Sequence, residues 1–265
     1  MKKLFFLMVA CLVATTASAQ FVNSGSGNAK SSASSGNFFG QMSTDDYNRF
    51  YVSYNPTAMK WEKDQRDNEE IMPLTKGLSV GYLHASSLSS QMPLFLEYGA
   101  NFQYSFGKFE DSEDEYSCTR KTNIYSVNIP LNLALKLQFN ECALTPYLGI
   151  NFRVNVAGNM KYNEEDEYYD YYDDEYYTES YELTYNLFDK SEPKDDDYED
   201  GATVGLGCNA AKRFQAGINF GVGFSYKSLY LGVGHTSDFS KIANCSKCDY
   251  VGKLGVTTLT VGINF

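Results

Sequence analysis

Apolar residues recur at every second position through most of this chain. The clearest run passes through Leu94, Leu96, Tyr98, Ala100, Phe102, Tyr104 and Phe106, with Glu97, Gly99, Asn101, Gln103 and Ser105 between them. A period of two is the mark of a β-strand with one apolar and one polar face. The same alternation predicts strands over residues 47–55, 77–85, 93–107 and 123–139, and a fifth carrying Leu148, Ile150, Phe152, Val154 and Val156. Three more follow, over 213–226, 229–236 and the final stretch through Leu259, Val261, Ile263 and Phe265.

The connections between these strands alternate long, short, long, short, long, short, long. Membrane barrels combine an even strand count with short turns on the inner side and longer exterior loops. The expected fold is therefore all-β: an eight-stranded antiparallel up-and-down transmembrane β-barrel with long exterior loops. A soluble lipid-binding barrel is the competing fold, but it would turn its polar face outward and keep an apolar lumen. Here the second face is built of amides, glycines and hydroxyls, which suits the inside of a narrow barrel.

Residues 1–19 pair Lys2 and Lys3 with an apolar run and end in Ala17-Ser18-Ala19, which reads as a cleaved export signal. The rival lipoprotein signal at Cys11 has a poor match in Met8-Val9-Ala10 and an apolar core too short for it. Residues 20–46, rich in Ser, Gly and Asn, read as a flexible periplasmic lead-in, and 47–265 as the barrel. The net charge is −11, yet residues 161–200 alone hold 17 acidic against 3 basic side chains, a balance of −14. Without Lys2 and Lys3 the mature chain stands at −13, so everything outside that segment sums to +1. Acidity belongs to one exterior insertion, 158–212, and says nothing about the scaffold.

The stretch Tyr51-Val52-Ser53-Tyr54-Asn55-Pro56, then Gly81-Tyr82, then Pro93 to Gly99 and Tyr104 to Gly107, resembles the outer-membrane β-barrel domain family of Bacteroidota-type Gram-negative bacteria, the small OmpA- and PorT-like barrels. The likeness covers residues 47–265. It implies an outer-membrane location and a fold; its motifs build barrels and are not catalytic. The acidic, Tyr-rich insertion has no counterpart in it.

Four charged residues are expected in the lumen: Arg49, Glu97, Lys136 and Arg153. Counted from the strand ends, Glu97 and Lys136 fall at matching depth and are expected to pair, filling the lumen rather than gating it. His235-Thr236-Ser237-Asp238 at the outer rim superficially suits a hydrolase or acyltransferase, although sequence adjacency is no evidence of a catalytic site. Cys118, Cys208, Cys245 and Cys248 fall in exterior loops and are candidate disulfide partners, Cys118 with Cys208 and Cys245 with Cys248. Within the insertion, Glu164, Asp166, Tyr171, Asp173, Asp174, Asp195 and Asp197 could hold a cation or a basic or glycan partner; a solvated loop or upward extensions of the fifth and sixth strands are the plainer alternatives. No cofactor and no nucleic-acid partner is expected, because phosphate-backbone binding needs basic patches. The function expected is non-enzymatic, structural or surface recognition, with a secretion accessory and a rim enzyme as alternatives.

Overall fold

The computed structural model describes residues 43–62, 72–90, 92–113, 116–171, 175–188, 211–244 and 251–265. Its strands are β1 (Tyr47–Tyr54), β2 (Thr57–Glu62), β3 (Lys76–Ser87), β4 (Leu94–Glu113), β5 (Tyr116–Leu135), β6 (Leu137–Phe139), β7 (Cys142–Asp170), β8 (Glu175–Asn186), β9 (Phe214–Tyr226), β10 (Leu229–Asp238), β11 (Ala243–Asn244) and β12 (Val251–Asn264). All pairings are antiparallel, and the order β1-β3-β4-β5-β7-β9-β10-β12 closes on itself through β1–β12. β2 and β6 continue β1 and β5 past short interruptions, so eight wall strands form the ring. Asn48 and Phe265 seal it by exchanging backbone hydrogen bonds of 2.9 and 3.0 Å.

Register sets the width. Followed around the ring, Tyr47 aligns with Ala85, Glu97, Asn132, Gly149, Asn219, Thr236 and Val256, and Val256 returns to the first wall strand at Thr57. From 47 to 57 the shear is ten residues. Eight strands with that shear tilt by about 40° and leave a backbone cylinder roughly 16 Å across, which side chains can fill.

The long-loop end differs from expectation. β4 and β5 run several residues beyond the predicted ends, and β7 continues through the first part of the 158–212 insertion to Asp170. β8 returns beside it, from Asp170↔Glu175 down to Asn159↔Asn186, and pairs with no other strand among those described. Of the two plainer alternatives, the fifth wall strand does extend upward, but its partner is an added strand rather than the sixth. A bulge at Tyr125/Ser126 in the β5–β7 ladder marks where barrel wall passes into this four-stranded blade, β4-β5-β7-β8. The tight turns at the other end place Asn140 and Lys227 at φ of 54° and 52°, and the Lys227 amide donates to the Glu141 carbonyl at 2.8 Å.

The outward rows are apolar throughout the ring. Phe50, Val52, Leu78, Val80, Phe102, Ile129, Leu131, Ile150, Phe152, Phe224, Leu231, Val233, Leu259 and Val261 are all exposed. A protein in water does not tolerate a continuous apolar belt of that extent. Hydrocarbon does, and each side chain gains roughly 1.5–3 kcal/mol when fully removed from water.

Candidate functional site: a sealed lumen and an exterior blade

The lumen is plugged at three levels. Near the tight-turn end, Tyr47, Tyr51, Leu83, Ala85, Phe95 and Ala134 form a buried cluster with Tyr147 packed against it. Arg49 crosses this level: Nη2 donates to Glu97 Oε1 at 3.4 Å, Nε donates to Asn264 Oδ1 at 2.9 Å, and the guanidinium carbon stands 3.5 Å from the Tyr230 ring centre. The Tyr47 hydroxyl donates to the same Glu97 oxygen at 2.7 Å. Tyr230 can lie flat here because Gly223 and Gly232 face it; an added Cβ on Gly223 would meet the ring at 2.2 Å.

The expected Glu97–Lys136 pair does not form. Glu97 aligns with Asn132, while Lys136 lies four residues further toward the tight-turn end, its amide bonded to the Pro93 carbonyl. Depth counted from strand ends failed because β6 carries the chain beyond the rim. Lys136 instead places Nζ 4.5 Å from the Tyr47 ring centre.

Midway, a cavity of about 80 Å³ is bordered by Asn101, Asn128, Asn132, Asn151 and Asn219. Amide-to-amide bonds link Asn128 to Asn101 and Asn219 to Asn132. Above them Arg153 donates from Nη1 to Asp238 Oδ2 at 2.7 Å and to Gln215 Oε1 at 3.2 Å, and from Nε to Asn128 Oδ1 at 3.0 Å. Both ion pairs are almost wholly buried, Arg49 and Glu97 at 4% and 1% exposure, Arg153 and Asp238 at 3% and 1%.

The third plug was not visible in the pattern of the sequence. Met59, Met72, Leu74, Ile124, Met160, Leu187, Phe188, Ala211, Ile242 and Leu254 form an apolar cap over the Arg153 level. Six of the ten come from connections between strands. Backbone bonds pin those connections across the mouth: Leu187 to Gly158, Ala211 to Leu187, Lys212 to Ile242 and Ile242 to Gly252. Isolated apolar residues in loops carry no period, so only their convergence reveals them.

The rim residues do not assemble into a catalytic site. Strand alternation puts His235 and Ser237 on the outer side of β10 and Thr236 and Asp238 inside, where Arg153 holds Asp238. His235 Nδ1 lies 3.2 Å from the Thr257 hydroxyl. Cys118 is a buried free thiol; its expected partner Cys208, and Cys245 and Cys248, lie outside the described residues. Among the described residues no group of three or more His, Cys, Asp or Glu side chains could hold a metal ion. Glu164 and Asp166 stand on β7 and Tyr171 at its turn, whereas Asp173, Asp174, Asp195 and Asp197 lie outside the described residues.

The blade carries tyrosines on both faces. Tyr168 stacks on Tyr177 with ring centres 5.9 Å apart, and Tyr169 meets Tyr176 at 5.1 Å. Lower down, Tyr162 donates to Glu164 at 2.6 Å, and Arg120 lies over the Tyr162 ring. Burial pushes the Tyr116 phenol up to about 12, with Cys118 and Glu164 adding to it against a lowering hydrogen bond from Tyr162.

No family model matches this chain, and no curated protein matches it. Among solved structures it is similar to Ail, the attachment invasion locus protein of Yersinia pestis, at 13% identity and TM-score 0.34, over 83% of this chain and 98% of that one. Ail in complex with the heparin analogue sucrose octasulfate gives 14% and 0.37, over 83% and 99%. Neisserial surface protein A gives 10% and 0.36, over 84% and 96%. At such scores these likenesses carry no weight, and the eight-stranded assignment rests on this chain's own closed ring of strand pairs.

Proposed function

We propose that the protein spans the outer membrane of a Gram-negative bacterium as a closed, non-enzymatic barrel of the Bacteroidota-type family and presents the β4-β5-β7-β8 blade for surface recognition. One observation carries this reading: three wall strands continue and β8 joins them, hydrogen-bonded, beyond the end of the apolar belt, while the lumen below them is filled. A barrel built to pass solutes needs an open bore; one built to display needs a stiff extension. Tyrosine supplies rigid contact area at low entropic cost, and the surrounding carboxylates select basic or hydroxyl-rich partners, a surface protein or a glycan.

The register supplies the test. Asn163 pairs with Glu182. Excising residues 164–181 and closing that pair with an Asn-Gly turn shortens the blade without touching Leu187 or Phe188 of the cap. A wider cut through residue 200 would remove both. The trimmed protein is expected to keep heat-modifiable gel mobility and to lose binding to basic surface proteins and glycan arrays. Unchanged binding refutes the reading. If loss of the protein blocks secretion and the trimmed form restores it, an assembly role like that of PorT-like barrels replaces recognition.

A further inference from the structure

On the outer face of the blade, successive cross-strand rows change character in a fixed order. The row Tyr104↔Tyr125 is aromatic, with rings stacked 4.9 Å apart and Phe102 and Phe106 stacked on either side. Two residues further out lie Phe106, Asn123, Asn159 and Asn186; two further again lie Lys108, Lys121, Lys161 and Thr184. Lys108 faces Lys121 directly, and Lys121 faces Lys161 directly. Carboxylates enter only in the next row, where Glu110 contacts Lys108 and Glu182 lies 3.7 Å from Lys161. Aromatic girdles mark the boundary between hydrocarbon and headgroups.

Like charges directly opposite one another on neighbouring strands destabilise a sheet; Glu110 offsets this at Lys108 and Glu182 at Lys161, whereas Lys121, between them, has no carboxylate in an ion pair with it among the described residues. The side chains are exposed and point to the lipid side, not into the lumen. Cross-strand neighbours stand about 5 Å apart at Cβ, so three flexible ammonium groups can converge on one phosphate. Their height, just beyond the Tyr104–Tyr125 girdle, is that of the outer-leaflet headgroups.

We infer that Lys108, Lys121 and Lys161 form a binding site for the phosphate of an outer-leaflet lipid headgroup. The inference rests on membrane insertion with the blade outside, as proposed above. The site anchors the base of the blade to the leaflet and offsets the repulsion within the lysine row.

The test uses the full mature protein in nanodiscs, with bisphosphorylated lipid A, its dephosphorylated form and inorganic phosphate as probes, read by native mass spectrometry. Each lysine near an anionic surface contributes about fivefold in affinity. Lys121→Gln is therefore expected to weaken retention of the phosphorylated lipid about fivefold, and the triple Lys→Gln variant about 100-fold, while Lys121→Arg retains it. Equal retention of the dephosphorylated lipid, an unaffected triple variant, or displacement by inorganic phosphate each overturns the site. Heat-modifiable mobility and protease protection report insertion independently: a protein that does not insert refutes the proposed function, and one that inserts but ignores the lipid phosphate refutes only this inference. If the triple variant fails to fold, Lys121→Gln alone decides.

Discussion

Glu97→Gln is the sharpest perturbation of the barrel interior. Glu97 is 1% exposed and receives hydrogen bonds from Tyr47 and Arg49 on one oxygen. The glutamine keeps the shape and still accepts from Tyr47, but it leaves the Arg49 charge buried without a carboxylate. Breaking one side of a buried ion pair costs about 3–5 kcal/mol. Arg49 keeps the Tyr230 face and the Asn264 bond, and a desolvated cation over an aromatic ring is stabilised by about 2 kcal/mol. The expected loss is therefore near the lower limit, about 3 kcal/mol. The double variant Arg49→Met with Glu97→Gln removes the orphaned charge and is expected to lose less than Glu97→Gln alone. Denaturant unfolding in lipid vesicles measures both, followed by the fluorescence of Trp61, the only tryptophan of the chain, and by gel mobility. A midpoint shift with constant slope reads as stability. If Glu97→Gln costs under about 1 kcal/mol, or the double variant is as unstable as the single, the Arg49–Glu97 account is wrong.

Three further outcomes follow from the plugs and the blade. With all three levels filled, planar bilayers containing the protein are expected to show no large stable single-channel currents, and their appearance would contradict the packed lumen. Met160→Ala empties a fully buried position of the apolar cap and is expected to cost about 2–5 kcal/mol in the same unfolding assay. Tyr116 has a folded-state pKa raised above that of the unfolded chain, so its contribution is complete below pH 10 and is lost as pH rises toward about 12; ultraviolet titration should show this phenol among the late-ionising ones, and Tyr116→Phe should lower the amplitude of the late phase by one phenol.

Strand identity was legible because a half-lipid, half-lumen strand writes its two faces into alternate residues. β1, β3, β9 and β10 begin or end within about two residues of the predicted limits, inside the usual uncertainty of strand ends. The blade was harder to see. In Lys108–Glu113 and Lys161–Asp170 both faces are polar or carry scattered aromatics, so the period of two vanishes although the ladder continues. Pairing within the lumen was harder still. Alternation marks Arg49 and Arg153 as interior charges, whereas nearness to a strand end puts Asp238 at the rim, although it shares the inward parity of Gly232, Gly234 and Thr236.

Alternation alone determined that this chain makes eight amphipathic strands, because each strand's burial pattern is a local property of its own residues. Tertiary structure decided which charges meet, how wide the cylinder is and what closes it. Those depend on register: a shear of ten sets Glu97 against Arg49 and Lys136 below it, aligns three lysines from three strands, and gathers solitary loop residues such as Met72, Phe188 and Ile242 into one cap. Residues far apart in sequence carry no mark of that alignment until the backbone hydrogen bonds are drawn.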